Sequence, residues 1–399
     1  MIHTEHESTA AWRELIETVG GLDRSFLEGD RAVTDDQQIA DGYRMLATTL
    51  GVAFDTCLFG EPSRPLFVAV NTPFRRDRRW GGDNTDAYYY ICPVDPGRRY
   101  RISGNRGDSV YFSLTAYNEP SPGAWSDRIV AIVRDDDLDI DADGNFSFEL
   151  GPTPGAAVLM TRDYQADPHV GTPVTWKIEA LDAPDPFSHG EAETAAALRA
   201  SAAWLRTMFA ILPLAVGVKS AAEHELGHST AVSANEFADP YQVPDANFGW
   251  SARDACYAYG SFDLADDEAL VITHRPPTCR FWNLVVWNQF MAVPGCARRA
   301  KFGQRLHGGA ECRRFGDGCS VPRNDEPSQF ADHAGLSARQ SGVPLVPGRQ
   351  GTRAPRGSVR QDHRRADLGD LTERRRRGVF HVELANAVRA SAVRVQKFS

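Results

Sequence analysis

The stretch that most limits what this chain can fold into runs from Gly81 to Tyr117, GGDNTDAYYYICPVDPGRRYRISGNRGDSVYFSLTAY. Ala87–Val94 is aromatic and apolar. Asp95-Pro96-Gly97 is a turn, Tyr100–Ser103 alternates apolar and polar residues, and Gly104-Asn105-Arg106-Gly107 is a second tight turn. Val110–Tyr117 is again β-branched and aromatic. Runs of this composition, broken by Gly, Pro and Asp at this spacing, predict three neighbouring antiparallel strands.

The rest of the chain is read around that nucleus. Trp12, Leu15, Ile16, Val19, Leu22 and Phe26 keep helical spacing behind caps at Ser8 or Thr9. Thr34 with Gln37 fits a capping box, and Ile39, Tyr43, Leu46 and Leu50 continue a second helix. Short strands follow at Leu66–Val70, Arg128–Val133, Phe146–Leu150, Ala157–Thr161 and Val174–Leu181. After Glu191–Leu212, an Ala-rich helix with Leu198, Ala202, Leu205 and Phe209 on one face, strands return at Tyr257–Asp263, Ala269–Thr273 and Phe281–Asn288. The fold class predicted is mainly β. It is a jelly-roll-like antiparallel β-sandwich with an N-terminal helical hairpin and one long inserted helix. The division predicted is a helical segment at 1–60, a sandwich at 61–293 with its helical insertion at 187–213, and an Arg-rich tail at 294–399.

Composition enters because the two parts differ. Residues 294–399 carry 21 Lys+Arg against 10 Asp+Glu, a balance of +11. From chain totals of 44 and 53, this leaves 23 and 43, or −20, for residues 1–293. All 8 Trp and all 11 Tyr precede residue 294. Met1–Ala10 lacks the apolar run of a signal peptide. The most apolar window, Ala200–Val218, holds Arg206 and Pro213 and reads as a buried helix and not a membrane span. Cys57, Cys92, Cys256 and Cys279 show no CxxC spacing, so free thiols and a cytoplasmic location are expected.

Two motifs suggest chemistry. His224-Glu225-Leu226-Gly227-His228 has the HExxH form, in which two histidines one helical turn apart chelate zinc and the Glu activates a metal-bound water. Its surroundings speak against a working site, since position 231 is Ala and Glu236 lies only eight residues past His228. No metal or cofactor is therefore expected. Zinc-dependent hydrolysis through His224, Glu225 and His228 is the alternative, and an interaction module without a ligand site is another. Asp139-Ile-Asp141-Ala-Asp143-Gly144 opens like a calcium loop but has Leu150 where the bidentate Glu is needed, and reads as an acidic hairpin turn.

The candidate ligand-binding residues are Asp83, Asn84, Tyr90, Asn105, Arg106, Trp282 and Trp287. Asp83-Asn84 opens a strand and could polarise a cleft, or simply form an Asx turn. The turn amides around Asn105 and Arg106 could hold an anion, or simply reverse the chain. Trp282 and Trp287 are five apart on a strand and face opposite sides of the sheet. One is assigned to the core and the other to a sugar- or aromatic-binding face or to contact with the N-terminal helices. The expected partner is a small molecule. No nucleic acid or membrane partner is expected.

Several segments together resemble the bacterial family called domain of unknown function 1214. They are Gly82-Asp83-Asn84, the Tyr88–Pro93 strand, Tyr100-Arg101-Ile102, Gly104-Asn105-Arg106-Gly107, Asp135-Asp136-Asp137-Leu138 with Asp143-Gly144, Asp267–Ile272 and Arg275–Trp282. The likeness spans about residues 10–293 and implies a jelly-roll sandwich with helical additions. It carries no reaction and no catalytic residues. Proteins of this kind continue past the Trp282–Asn288 strand with a turn, a Val-rich strand, a His-Pro-Asn stretch and a Phe-Arg-Trp strand. This chain turns Arg-rich instead. Moved forward by one base, the codons of residues 295–355 permit NADGS, VTVVV, HPN and LAFRWFL in that order. The segment from about Pro294 is therefore read as a frameshift product without a packed core. The other reading is a basic, disordered tail.

Overall fold

The computed structural model describes residues 6–28, 32–73, 80–185, 189–214, 234–237, 241–246, 249–264, 269–274 and 279–293. It also describes strand segments at 304–306, 329–331, 376–385 and 393–398. The N-terminal hairpin is α1 (Glu7–Gly21), a short α2 (Arg24–Leu27) and α3 (Asp36–Cys57). Its caps differ from those expected. Asp35, one residue past Thr34, is the N-cap of α3, and its side chain accepts the Gln38 N–H at 3.0 Å. Helix α1 starts at Glu7, ahead of Ser8. Ser8 instead donates through N–H and Oγ, both at 2.8 Å, to the carboxylate of Glu191. Glu191 begins α4 (Glu191–Ile211), so one serine ties two helix starts together. Helix α4 buries Leu198, Ala202, Leu205 and Phe209 as its spacing requires.

The strands are β1 (Val68–Asn71), β2 (Ala87–Pro93), β3 (Tyr100–Asn105), β4 (Ser109–Tyr117), β5 (Ile129–Arg134), β6 (Asn145–Leu150), β7 (Val158–Gln165) and β8 (Thr175–Ala180). They form a five-stranded sheet, β1-β2-β7-β4-β5, and a three-stranded sheet, β6-β3-β8, with every pairing antiparallel. Each connection from β2 to β8 crosses between the two sheets except β4 to β5, which gives the jelly-roll-like sandwich. The expectation that the strands of residues 87–117 pair with one another is therefore corrected. β2 and β4 both flank β7, and β3 lies in the opposite sheet.

The turn after β3 explains the crossing. A Cβ on Gly104 would lie 1.8 Å from the Thr175 carbonyl oxygen, and Gly107 sits at φ +53° with its would-be Cβ 2.3 Å from the Thr172 carbonyl. The chain passes too close to the strand-β8 backbone for a side chain there, and it leaves that sheet instead of folding back along it.

A second group of strands follows: β9 (Glu236–Phe237), β10 (Tyr241–Gln242), β11 (Ala255–Leu264), β12 (Ala269–His274) and β13 (Phe281–Trp287). Ala255, Tyr257, Phe281, Val285 and Trp287 share one buried cluster with Tyr89, Ile91, Tyr111 and Tyr117 of the first sheet and with α3 and α4. The strand at Phe281 thus joins the sandwich core, as its sequence suggests. Most of the segment from residue 294, expected to lack a packed core, lies outside the described residues. Within it, β14 (Gln304–Leu306) and β16 (Arg376–Ala385) pair with β13. β15 (Gln329–Ala331) and β17 (Val393–Phe398) pair with β12. β16 also pairs with β11 along ten residues, so it lies between β11 and β13. Among the described residues, no helix is long and apolar enough to cross a membrane.

Candidate ligand site

Strand β7, VLMTRDYQ, is buried along its whole length. Alternation sends Met160, Arg162 and Tyr164 to the face that meets β11 and β13, and Leu159, Thr161 and Asp163 to the face that meets β3. Arg162 is therefore an arginine inside the core, 3% exposed. Its cross-strand neighbours are Tyr89 on β2 and Ser113 on β4. The guanidinium donates to Thr115 Oγ1 at 3.3 Å, to the Tyr117 hydroxyl at 2.9 Å and to the Trp250 carbonyl at 2.5 Å. The rings of Tyr89 and Tyr117 lie 5.8 and 5.9 Å from its centre. The guanidinium also donates to Met160 Sδ at 3.6 Å. All four acceptors are neutral, and Arg162 forms no ion pair with a carboxylate of the described residues. Burial opposes its charge. The oxygens of Tyr117, Tyr164 and Tyr257 and the carboxylate of Asp254 outweigh that, so its pKa is held well above the usual value.

Asp254, buried just before β11, reaches across to the same layer and accepts a very short hydrogen bond from the Tyr111 hydroxyl on Oδ2. Burial, then the Asp254 carboxylate, pushes the Tyr111 hydroxyl far up. Tyr111 stacks on Tyr164 with ring centres 6.0 Å apart. The Tyr117 hydroxyl donates to the Ser251 carbonyl at 2.5 Å. Three buried polar atoms on this layer have no hydrogen-bond partner: Ser113 Oγ, Asp254 Oδ1 and Asn283 Oδ1. Trp250 also belongs to a ring cluster. Its centre is 5.1 Å from Trp80 and 5.9 Å from Trp204, and Trp125 touches both of those.

The chain is similar over its length to a solved structure, an uncharacterised protein from Burkholderia cenocepacia. The two share 20% identity at a TM-score of 0.72, covering 98% of this chain and 97% of that one. At that identity the likeness is one of fold. The VPA0106 protein from Vibrio parahaemolyticus aligns at 11% identity over 74% of this chain and 85% of its own, with a TM-score of 0.30, too low to carry an argument. No family model matches the chain, and no characterised protein matches it in sequence.

The residues singled out from sequence fall into two groups. Asp83, Asn84 and Trp287 come together. The Trp287 indole donates to the Asp83 carbonyl at 2.7 Å, and Asp83 Oδ1 accepts the Val293 N–H at 2.6 Å. Asn84 Oδ1 accepts the Asp86 N–H and the Asn283 amide, both at 2.8 Å. The Asx turn expected at Asn84 is present, and it also pins the start of β2 to β13. Asn105 and Arg106 lie apart from this pin, in the β3–β4 turn. Asn105 Nδ2 donates to the Asp143 carbonyl at 2.8 Å and to Asn145 Oδ1 at 3.0 Å, and Arg106 Nη2 donates to the Ser109 carbonyl at 3.2 Å.

Tyr90 is half-buried on the face toward β3, where its N–H donates to Thr161 Oγ1 at 3.3 Å. Trp282 and Trp287 sit at alternate positions of β13, as expected, but both are buried, at 4% and 2% exposure. Neither lines an open sugar- or aromatic-binding face; of the two roles offered for the second Trp, Trp287 fits the other, sharing a buried cluster with Leu15, Phe26 and Met45 of the N-terminal helices. The acidic turn at 139–144 is also as read: Asp141 Oδ1 accepts the Asp143 and Asn145 N–H groups. His224, Glu225 and His228 lie outside the described residues. Among the described residues no group of three His, Cys, Asp or Glu is placed to hold a metal ion.

Sequence reasoning missed Arg162 and Asp254. It ended the strand at Thr161. A charged pair followed by Tyr164, inside an apolar run, is the signal that could have found Arg162; Asp254 carries no local one.

Proposed function

We propose that the protein binds a small molecule in the layer between the five-stranded sheet and strands β11 and β13, around Arg162. One observation carries this: an enclosed guanidinium with only neutral partners, beside buried oxygens of Ser113 and Asp254 that have no partner among the described residues. Buried polar groups are ordinarily satisfied, and orphaned ones mark a missing partner. The tyrosines around them supply apolar walls with polar tips, the usual lining of a small-molecule site. The resemblance to domain of unknown function 1214 adds a fold and no reaction to this reading. A ligand that binds only the native state raises its melting temperature. A broad thermal-shift screen of the full chain, repeated on Arg162→Met, is the test. Hits shared equally by both proteins would place binding elsewhere.

Zinc-dependent hydrolysis through His224, Glu225 and His228 is the second proposal, carried by the HExxH spacing alone. Metal analysis of the purified protein tests it. Stoichiometric zinc, lost in His224→Ala, would replace the first reading.

A further inference from the structure

We infer that the molecule held beside Arg162 is neutral and rich in hydroxyl groups, a monosaccharide or cyclic polyol, and not an anion. This rests on the reading that the layer is a ligand site. The unpartnered atoms set the chemistry. Asp254 Oδ1 and Asn283 Oδ1 are acceptors only, and the Ser113 hydroxyl can accept as well as donate. The Asn283 assignment is fixed by its other end, where Nδ2 donates to two acceptors, Asn84 Oδ1 at 2.8 Å and Asp86 Oδ2 at 3.2 Å. These three atoms therefore lack donors, whereas the Trp80 indole N–H, in the ring cluster beside Trp250, is a buried donor without a partner among the described residues.

Charge points the same way. Arg162 and Asp254 carry opposite signs and face one layer, so an anion drawn to the first is repelled by the second, and a cation the reverse. A hydroxyl serves both, because it accepts from a guanidinium and donates to a carboxylate. Tyr111 acts as a positioning residue: by occupying Oδ2, it leaves Oδ1 as the free acceptor. The buried rings of Tyr89, Tyr111, Tyr117 and Tyr164 wall the same layer, apolar bodies with polar tips.

The test is thermal shift with calorimetry on the full chain. The probes are glucose, galactose, mannose, myo-inositol and inorganic phosphate at matched ionic strength. The expected result is a rise in melting temperature with at least one neutral probe and none with phosphate. Binding should be about tenfold weaker in Asp254→Asn, the loss of one charge-assisted hydrogen bond. Should Asp254→Asn fail to fold, Ser113→Ala reads the same contact from β4, with a smaller loss. A shift with phosphate that needs Arg162, and none with the neutral probes, overturns the class of ligand and leaves the site standing. No shift with any probe, and a crystal soaked in them showing only water between Ser113 and Asp254, overturns the site itself, because ordered water then supplies the missing partners.

Discussion

The two faces of the five-stranded sheet are made by the same strands and do opposite things. Toward β3, strands β2, β4 and β7 present Cys92, Leu114, Ala116 and Leu159. These pack with Tyr100, Ile102, Phe148 and Ile178 into an apolar core, next to a smaller one around Phe112, Phe146 and Trp176. Toward β11 and β13, the intervening residues of those strands are Tyr89, Tyr111, Ser113, Thr115, Tyr117, Arg162 and Tyr164. One face is closed by ordinary hydrophobic burial. The other mixes apolar side chains, among them Ala87, Ile91, Val158 and Met160, with hydroxyls, an arginine and an aspartate. A chain gains stability most simply by filling both faces with aliphatic residues, and buried polar groups that lack partners lower it. On the proposed reading, the first face serves stability and the second recognition.

The largest effect expected concerns the strands that cover the second face. Within the described residues, β12 and β13 pair only with β14 to β17, all from residues 304 onward. Restoring the frame that permits VTVVV and LAFRWFL would change every one of those strands. The expected outcome is a base lost or gained near the codons for Met291–Cys296 relative to a close relative, and a frame-restored protein more stable in denaturant unfolding than the present one. An intact frame, with residues 300–399 resistant to proteolysis, would sink this reading.

Next in size is the apolar face. Phe112 is 1% exposed and stacks on Phe146 at 5.2 Å, with Trp176 edge-on at 5.6 Å. Phe112→Ala removes most of a ring from a packed site and should cost about 3–5 kcal/mol in denaturant unfolding. If the two faces are separable, whatever ligand raises the melting temperature of the native protein should raise that of the variant by a similar amount. A variant that folds but no longer responds would break the division.

Asp163 is a charged group on the apolar face, where Thr161 is also buried, and lies fully buried beside Phe112 and Tyr88 in register. Burial pushes its carboxyl up to about 6, against the hydrogen bonds from the Val174 N–H at 2.8 Å and Gln165 Nε2 at 2.6 Å. Because the folded pKa is the higher one, the native state holds more protons than the unfolded state between about pH 4 and 6. This group therefore destabilises the fold progressively as pH rises through that window, by an amount on the order of 2–3 kcal/mol. Measured by urea unfolding, Asp163→Asn should gain on the native protein between pH 4 and pH 7. A constant difference across that range would mean that Asp163 titrates normally.

How much of this could be read beforehand follows the same contrast. The apolar face was legible, because Tyr100-Arg101-Ile102 and Phe146–Leu150 alternate with period two and the turns between them carry Gly, Pro and Asp. Which strands pair was not. The crossing after β3 depends on the closeness of Gly104 and Gly107 to the strand-β8 backbone, a contact made seventy residues away in sequence. The pin at Asp83 and Asn84 was legible as an Asx turn, a local event. Its bond to Asn283 spans 199 residues and has no local signature. Asp254 was illegible for the same reason: it looks like a strand margin until the opposite sheet is in place.

The smallest effect expected tests the polar face with a single atom. Tyr117 Oη accepts from Arg162 Nη2 at 2.9 Å and donates to the Ser251 carbonyl at 2.5 Å, so it links the five-stranded sheet to the segment before β11. Tyr117→Phe keeps the ring, which is fully buried, and deletes only the hydroxyl. The variant leaves a buried carbonyl and one guanidinium N–H without this partner, a loss of about 1–3 kcal/mol in denaturant unfolding. Arg162 retains Thr115 and Trp250 as acceptors, so the fold should survive. A guanidinium freed of one restraint is held less firmly toward the layer. Ligand affinity should then fall with stability in Tyr117→Phe, whereas Phe112→Ala loses stability alone. The ratio of the two losses in each variant measures how far the faces are independent. Equal ratios would mean that the sheet works as a single core.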